Sequence, residues 1–147
     1  MNTYSLKPKD ITRKWYVLDA SKGSLGRVST KAARLIIGKD KPSTSPHIDN
    51  GDYVIVINSA SVIITGNKDK GKVYYRHSGF PGGIKNTSLS DLKQANPNEL
   101  IKHAVRGMLP DNKLRNNRLS RLKIYAGSEH EHQAQKPEEI VLDEVRA

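Results

Sequence analysis

The sequence predicts an α/β protein: a three-layer α/β/α sandwich around a small, mostly parallel sheet, with basic loop extensions. Three observations predict it. A short apolar run at residues 15–18 is followed almost at once by a helical pattern. Tyr53–Ile57 is nearly continuously β-branched, as expected of a strand covered on both faces. Strand-like and helix-like segments then keep alternating as far as Tyr125, the pattern of a layered α/β domain. A length of 147 residues fits one domain spanning 1–147, with a basic arm at 1–14 and an acidic tail at 138–147.

The elements follow in order. Trp15 to Leu18 reads as a buried strand ended by Asp19 and Gly23. Leu25, Val28, Ala32, Leu35 and Ile36 recur at helical spacing, with Ser24 as N-cap and Gly38 where a left-handed C-terminal cap belongs. Residues 39–51 hold Pro42, Pro46 and Asn50-Gly51 and form an extended loop, and Asp49 and Asp52, at its closing turn, serve turn capping. A second short strand is expected at 62–65, a lysine-bearing turn at 66–72, a strand at 73–77 and a mobile basic loop at 78–85. After a short helix within 88–95, Asn96 as N-cap and Pro97 at the first helical position open a helix whose apolar stripe is Leu100, Ile101, Ala104, Val105 and Met108. A weaker, arginine-rich helical pattern carries Leu114, Leu119 and Leu122, and 123–126 turns strand-like.

Composition bounds the function. Twenty-five Lys and Arg against fifteen Asp and Glu leave a formal charge of +10. The excess is uneven: residues 129–147 carry −4, residues 1–128 carry +14, and residues 101–123 alone carry +6. A surface built only for solubility would mix the signs, so a polyanionic partner is expected. The absence of cysteine removes disulfides, thiol nucleophiles and Cys-based metal sites. No apolar stretch follows the basic residues of the first fourteen, and the longest apolar run is far short of a membrane span, so a soluble cytoplasmic protein without a membrane partner is expected.

Gly66 to Val73 matches a phosphate-binding loop up to its last position, where Val73 supplies no hydroxyl for magnesium and a strand follows instead of a helix. Three lysines on that turn, Lys68, Lys70 and Lys72, suit nucleic-acid phosphates better. Gly23 and Gly26 keep only part of a dinucleotide fingerprint and read as a tight turn. His130 and His132 form an H-x-H pair without an evident third ligand, so neither a metal nor another cofactor is expected. The positive reading is a distributed basic surface, with Tyr74, Tyr75, Phe80 and Tyr125 interleaved and glycines that let a strand approach closely. Tyr74 and Tyr75 are adjacent on a strand, so at most one of them faces a ligand. Structured RNA is the preferred polyanion, since zinc-finger and basic-zipper signatures are missing.

Several specific words stand in order along the chain. They are Trp15-Tyr16-Val17-Leu18-Asp19-Ala20, Leu25-Gly26-Arg27, Asn50-Gly51-Asp52-Tyr53-Val54, Thr65-Gly66-Asn67-Lys68, Gly107-Met108-Leu109-Pro110 and Leu122-Lys123-Ile124-Tyr125-Ala126-Gly127, with Glu129-His130 and His132 behind. The chain closely resembles the bacterial form of the large-subunit ribosomal protein thirteen family over residues 13–137. The resemblance implies an α/β/α sandwich, no enzymatic activity and a structural role in the large subunit from early assembly. It also implies contacts with large-subunit rRNA and neighbouring ribosomal proteins, and binding of the protein's own messenger RNA in some relatives. Taken with the charge pattern, the RNA-facing candidates are Arg27, Lys39, Lys41, Lys68, Lys70, Lys72, Arg76, His77, Lys85, Lys113, Arg115, Arg118, Arg121, Lys123, His130 and His132.

Overall fold

The computed structural model describes residues 4–142, so the first three residues of the basic arm and 143–147 of the acidic tail lie outside it. Strands β1 (Trp15–Asp19), β2 (Tyr53–Ile57), β5 (Leu122–Ile124) and β6 (Glu138–Ile140) form a parallel sheet in the order β5-β2-β1-β6. Strands β3 (Val73–His77) and β4 (Ile84–Ser88) form a separate antiparallel hairpin. The helices are α1 (Leu25–Ile37), the single turn α2 (Lys68–Gly71), α3 (Leu89–Ala95), α4 (Pro97–Met108) and α5 (Arg115–Ser120). This is the α/β sandwich that the alternating pattern predicts.

Alternation along the strands sorts the core. Leu18, Val54 and Val56 join the apolar stripe of α1 (Val28, Ala32, Leu35, Ile36) and that of α4 (Leu100, Ile101, Val105) in one buried cluster. Val17 and Ile55, in register with each other, point to the opposite face and are also buried. There Trp15 stacks on its cross-strand partner Tyr53, with ring centroids 4.2 Å apart. The chain leaving β5 returns over this face, where His132 lies 4.9 Å from Trp15 and 6.1 Å from Tyr125.

Helix ends behave largely as the sequence predicts. Gly38 adopts φ +83° and its N–H donates to the carbonyls of Arg34 and Leu35. The Asn96 side chain accepts from Glu99 N at 3.3 Å, and Ser88 Oγ accepts from Asp91 N at 3.2 Å. Ser24 stands at the N-cap of α1, but its hydroxyl makes no cap bond; instead Leu25 N donates to Ile63 O at 2.9 Å.

Four expectations need correction. The strand expected at 62–65 is reduced to a single Ser24–Ile63 bridge, because the backbone beside it turns at once into α1, whose amides serve the helix. The turn at 66–72 contains α2, closed by Lys72 N donating to Lys68 O at 3.0 Å. The basic loop ends at residue 83, and Ile84 and Lys85 belong to β4. Its glycines build a compact hairpin turn: Gly79 and Gly82 take φ +88° and +70°, and Ser78 N donates to Gly83 O at 3.0 Å. Finally, the start of the acidic tail is strand β6, paired with β1 from Tyr16↔Glu138 to Leu18↔Ile140. Its two glutamates face outward toward Lys14 (3.5 Å) and Lys22 (3.6 Å), while Leu142 beyond it is buried.

Candidate nucleic-acid interface

The β3–β4 hairpin stands out from the body, with all of Tyr75–His77 and Ile84–Thr87 exposed. Cross-strand register places Arg76 directly opposite Lys85. Like charges so placed destabilise an isolated hairpin, and no acid occurs anywhere from Val73 to Ser88 to relieve them. The same face carries Tyr74, half-buried edge-on against His103 of α4 at 4.8 Å, with Lys72 Nζ 5.5 Å from its ring centre. Burial pushes the Tyr74 phenol above its ordinary value. The other face bears Tyr75, His77 and Ile84, and the turn presents Phe80, so of the two adjacent tyrosines only Tyr75 is free to meet a ligand. His77 Nδ1 accepts from Gly79 N at 2.9 Å, which leaves Nε2 as its outward donor.

Lys68, Lys70 and Lys72 sit on or beside α2 at the root of this hairpin, all exposed, with Leu89 N donating to Lys72 O at 3.0 Å to fix the root. Lys39 and Lys113 are exposed on loops. Arg27 is exposed on α1 without an ion-pair partner among the described residues, whereas Lys31 and Arg34, four and seven residues further along the helix, both reach Asp40, at 3.6 and 2.9 Å. Register places Lys123 on the sheet face shared with Ile55. His132 is packed against Trp15, and its backbone N donates to His130 Nδ1 at 3.2 Å; both residues are half-buried.

The arginine-rich helix is arranged in the opposite sense. Arg118 and Arg121 are both 3% exposed, and Arg121 grips the Asp49 carboxylate through both terminal nitrogens while Nη2 also donates to Ile36 O at 3.0 Å. Arg118 Nε lies 3.6 Å from the same carboxylate. Arg115 pairs with Asp111, four residues back in the turn that precedes α5. Lys41 uses its three donors on Thr12 O (2.7 Å), Asn50 O (3.0 Å) and Asp52 Oδ1 (2.6 Å). Of the candidate cations, Lys41 and Arg121 are therefore engaged inside the fold, and Arg118 is buried beside Asp49 with its Nε making no hydrogen bond, so none of the three presents its charge to a ligand.

Asp49 and Asp52 are correspondingly more than turn-capping groups. They are the counter-ions that fasten α5, the 39–51 loop and the N-terminal arm to the sheet, with Lys14 N donating to Asp52 Oδ1 at 2.9 Å. Burial alone would raise the Asp49 pKa, but the hydrogen bonds and charge of Arg121 outweigh it and hold the carboxyl below its ordinary value. Gly51 lets this turn close on the end of α1: a Cβ there would fall 1.5 Å from Ile36 O.

The packing of α4 against α5 brings together further polar groups outside the candidate set. Lys102, His103 and Arg106 line one wall of a cleft of about 400 Å³, and Asn116 and Ser120 line the other. The cation count of residues 101–123 signals two of them, but only the helix pairing puts them together.

The model of the family described as ribosomal protein L13 matches residues 13–131. The chain is 49% identical over 145 residues to the large ribosomal subunit protein uL13 of Kocuria rhizophila, with 99% of each chain covered. Against the protein of the same name from Kineococcus radiotolerans it is 50% identical over 145 residues, again with 99% of each covered. Against that of Legionella pneumophila it is 48% identical over 144 residues, covering 98% of this chain and all of the relative. With strands β1, β2 and β5, the hairpin and α5 all inside the matched region, the chain belongs to the ribosomal protein L13 family.

Proposed function

We propose that this chain, a non-enzymatic structural constituent of the large ribosomal subunit in the cytoplasm, is held there by rRNA contacts centred on the β3–β4 hairpin and its root. One observation carries the reading: Arg76 and Lys85 are forced opposite each other on an exposed, acid-free hairpin. Such a pair is disfavoured alone and favoured against a polyanion. Each lysine or arginine that neutralises a phosphate releases counterions, so several such contacts accumulate affinity without reading sequence. Tyr75 (68% exposed) and Phe80 (74% exposed) add flat faces on which unpaired bases can stack. Lys68, Lys70 and Lys72 extend the same surface, with Arg27, Lys39 and Lys113 as outlying contacts. Contacts spread over separate loops suit a protein that joins folding rRNA early in assembly, while its other faces remain for neighbouring ribosomal proteins. Binding of its own messenger would draw on the same cations and compete with rRNA.

The test is binding to deproteinised large-subunit rRNA as a function of salt. The Arg76→Ala/Lys85→Ala variant should bind more weakly and lose about 2 from the slope of log K against log salt. An unchanged slope removes the hairpin from the interface.

A further inference from the structure

The cleft between α4 and α5 has the chemistry of a phosphodiester site and lies beside the hairpin. Lys102 and Arg106 stand four residues apart and so share one face of α4, with His103 between them. Asn116 of the α5 segment offers an amide from the opposite wall, where the Ser120 hydroxyl already donates to Asn117 O at 2.7 Å. Among the described residues neither Lys102 nor Arg106 makes an ion pair, although Glu99 stands at the rim. Their charge is therefore not consumed by the fold, in contrast to that of Arg115, Arg118 and Arg121 on the neighbouring helix.

Continuity with the hairpin says what occupies the cleft. His103 lines the cleft and also meets Tyr74 edge-on at 4.8 Å. Tyr74 lies on the same hairpin face as Arg76 and Lys85, and Lys72 Nζ sits 5.5 Å from its ring centre. Basic groups thus follow one another from Lys85 and Arg76, past Lys72 and His103, to Lys102 and Arg106. We propose that this cleft is a second rRNA backbone site, receiving a phosphodiester of the same RNA segment that runs along the Arg76–Lys85 face. The proposal rests on the rRNA-binding reading above and extends its footprint from the hairpin onto α4.

Lys102→Ala/Arg106→Ala, tested on the full chain with deproteinised large-subunit rRNA, should lose about 2 from the salt slope, whereas Lys102→Arg should keep it. Glu99→Gln, which removes the one carboxylate at the rim, should tighten binding several-fold at low salt, an effect that mere loss of packing would not produce. The chain contains no cysteine, so Asn117→Cys beside the cleft and Thr87→Cys on the exposed hairpin can each carry a single iron–EDTA tether. Hydroxyl-radical cuts from the two positions should fall on the same stretch of rRNA. Normal wild-type and hairpin behaviour with an unaltered Lys102→Ala/Arg106→Ala slope, or cuts near the hairpin tether alone, would overturn the cleft and leave the hairpin standing; the cleft would then face a protein. A wild-type chain without salt-sensitive rRNA binding would overturn both.

Discussion

Helix α5 and the β3–β4 hairpin are both rich in cations, yet they use them in opposite ways. Around α5, Arg118 and Arg121 turn inward onto the single carboxylate of Asp49, and Arg115 is taken up by Asp111. On the hairpin, Arg76 and Lys85 confront each other across the strands with no acid in reach. Local charge density does not separate the two regions; the presence of an internal counter-ion does. A cation already paired in the fold contributes to stability, whereas one held beside another cation is available to a polyanion.

The largest effect that sharpens this contrast belongs to Asp49. Asp49→Ala leaves two buried guanidiniums without their partner and should cost about 3–5 kcal/mol of stability, read as a fall in the urea midpoint. Arg76→Ala/Lys85→Ala, on an exposed hairpin, should stay within about 0.5 kcal/mol of the wild type in the same experiment. If the two variants exchanged these outcomes, the division between a structural and a binding set of cations would collapse.

The same carboxylate sets a pH dependence. Because the folded-state pKa of Asp49 lies below its ordinary value of 3.8, its contribution is complete above that value and is lost as the pH falls through the lower, folded-state pKa. Asp19 acts in the same direction: burial would raise its pKa, but hydrogen bonds from Asn58 and Ser21 outweigh this and lower it. Stability should therefore decline as the pH drops below about 4, and Asp49→Asn should make that decline shallower. An identical acid profile in the variant would show that Asp49 is not the group responsible.

On the hairpin side, Tyr75→Ala and Phe80→Ala remove exposed rings that the fold does not use. Each should weaken rRNA binding by about 1–3 kcal/mol if a base stacks there, with the slope against salt unchanged because no phosphate contact is lost. Thermal stability should stay at the wild-type value. A slope that changed with either substitution would mean that the ring positions a cation instead of a base.

Much of the body was legible in the sequence because its signals are local. The β-branched run of β2 and the Asn96-Pro97 start of α4 each sit within a few consecutive residues, and both appear where expected. What escaped depends on distant partners. Strand β6 pairs with β1 more than a hundred residues earlier, and its glutamates disguise an edge strand as a tail. Ile84–Ser88 reads IKNTS, which lacks apolar alternation because Ile84–Thr87 are all exposed and bury no face of this strand. The site divides in the same way. Exposed lysines near Gly66 and the hairpin cations could be read from composition, but the inward turn of Arg121 depends on Asp49, 72 residues away in the chain. The α4–α5 cleft likewise exists only once the two helices are packed together.

The smallest expected effect separates the two regions most directly, because stability and binding should move in opposite directions. Lys85→Glu replaces a cation facing Arg76 with an anion in the same register position. An opposite-charge pair across antiparallel strands is worth roughly 0.2–1 kcal/mol, and the like-charge penalty disappears with it. The variant should therefore melt slightly higher than the wild type. Its rRNA affinity should fall, because the new carboxylate neutralises Arg76 inside the fold and repels phosphate, giving the hairpin the arrangement that Asp49 imposes around α5. Hairpin cations with only a structural role would give a variant that gains stability and keeps its affinity. A wild-type arrangement maintained for RNA gives one that gains stability and loses it.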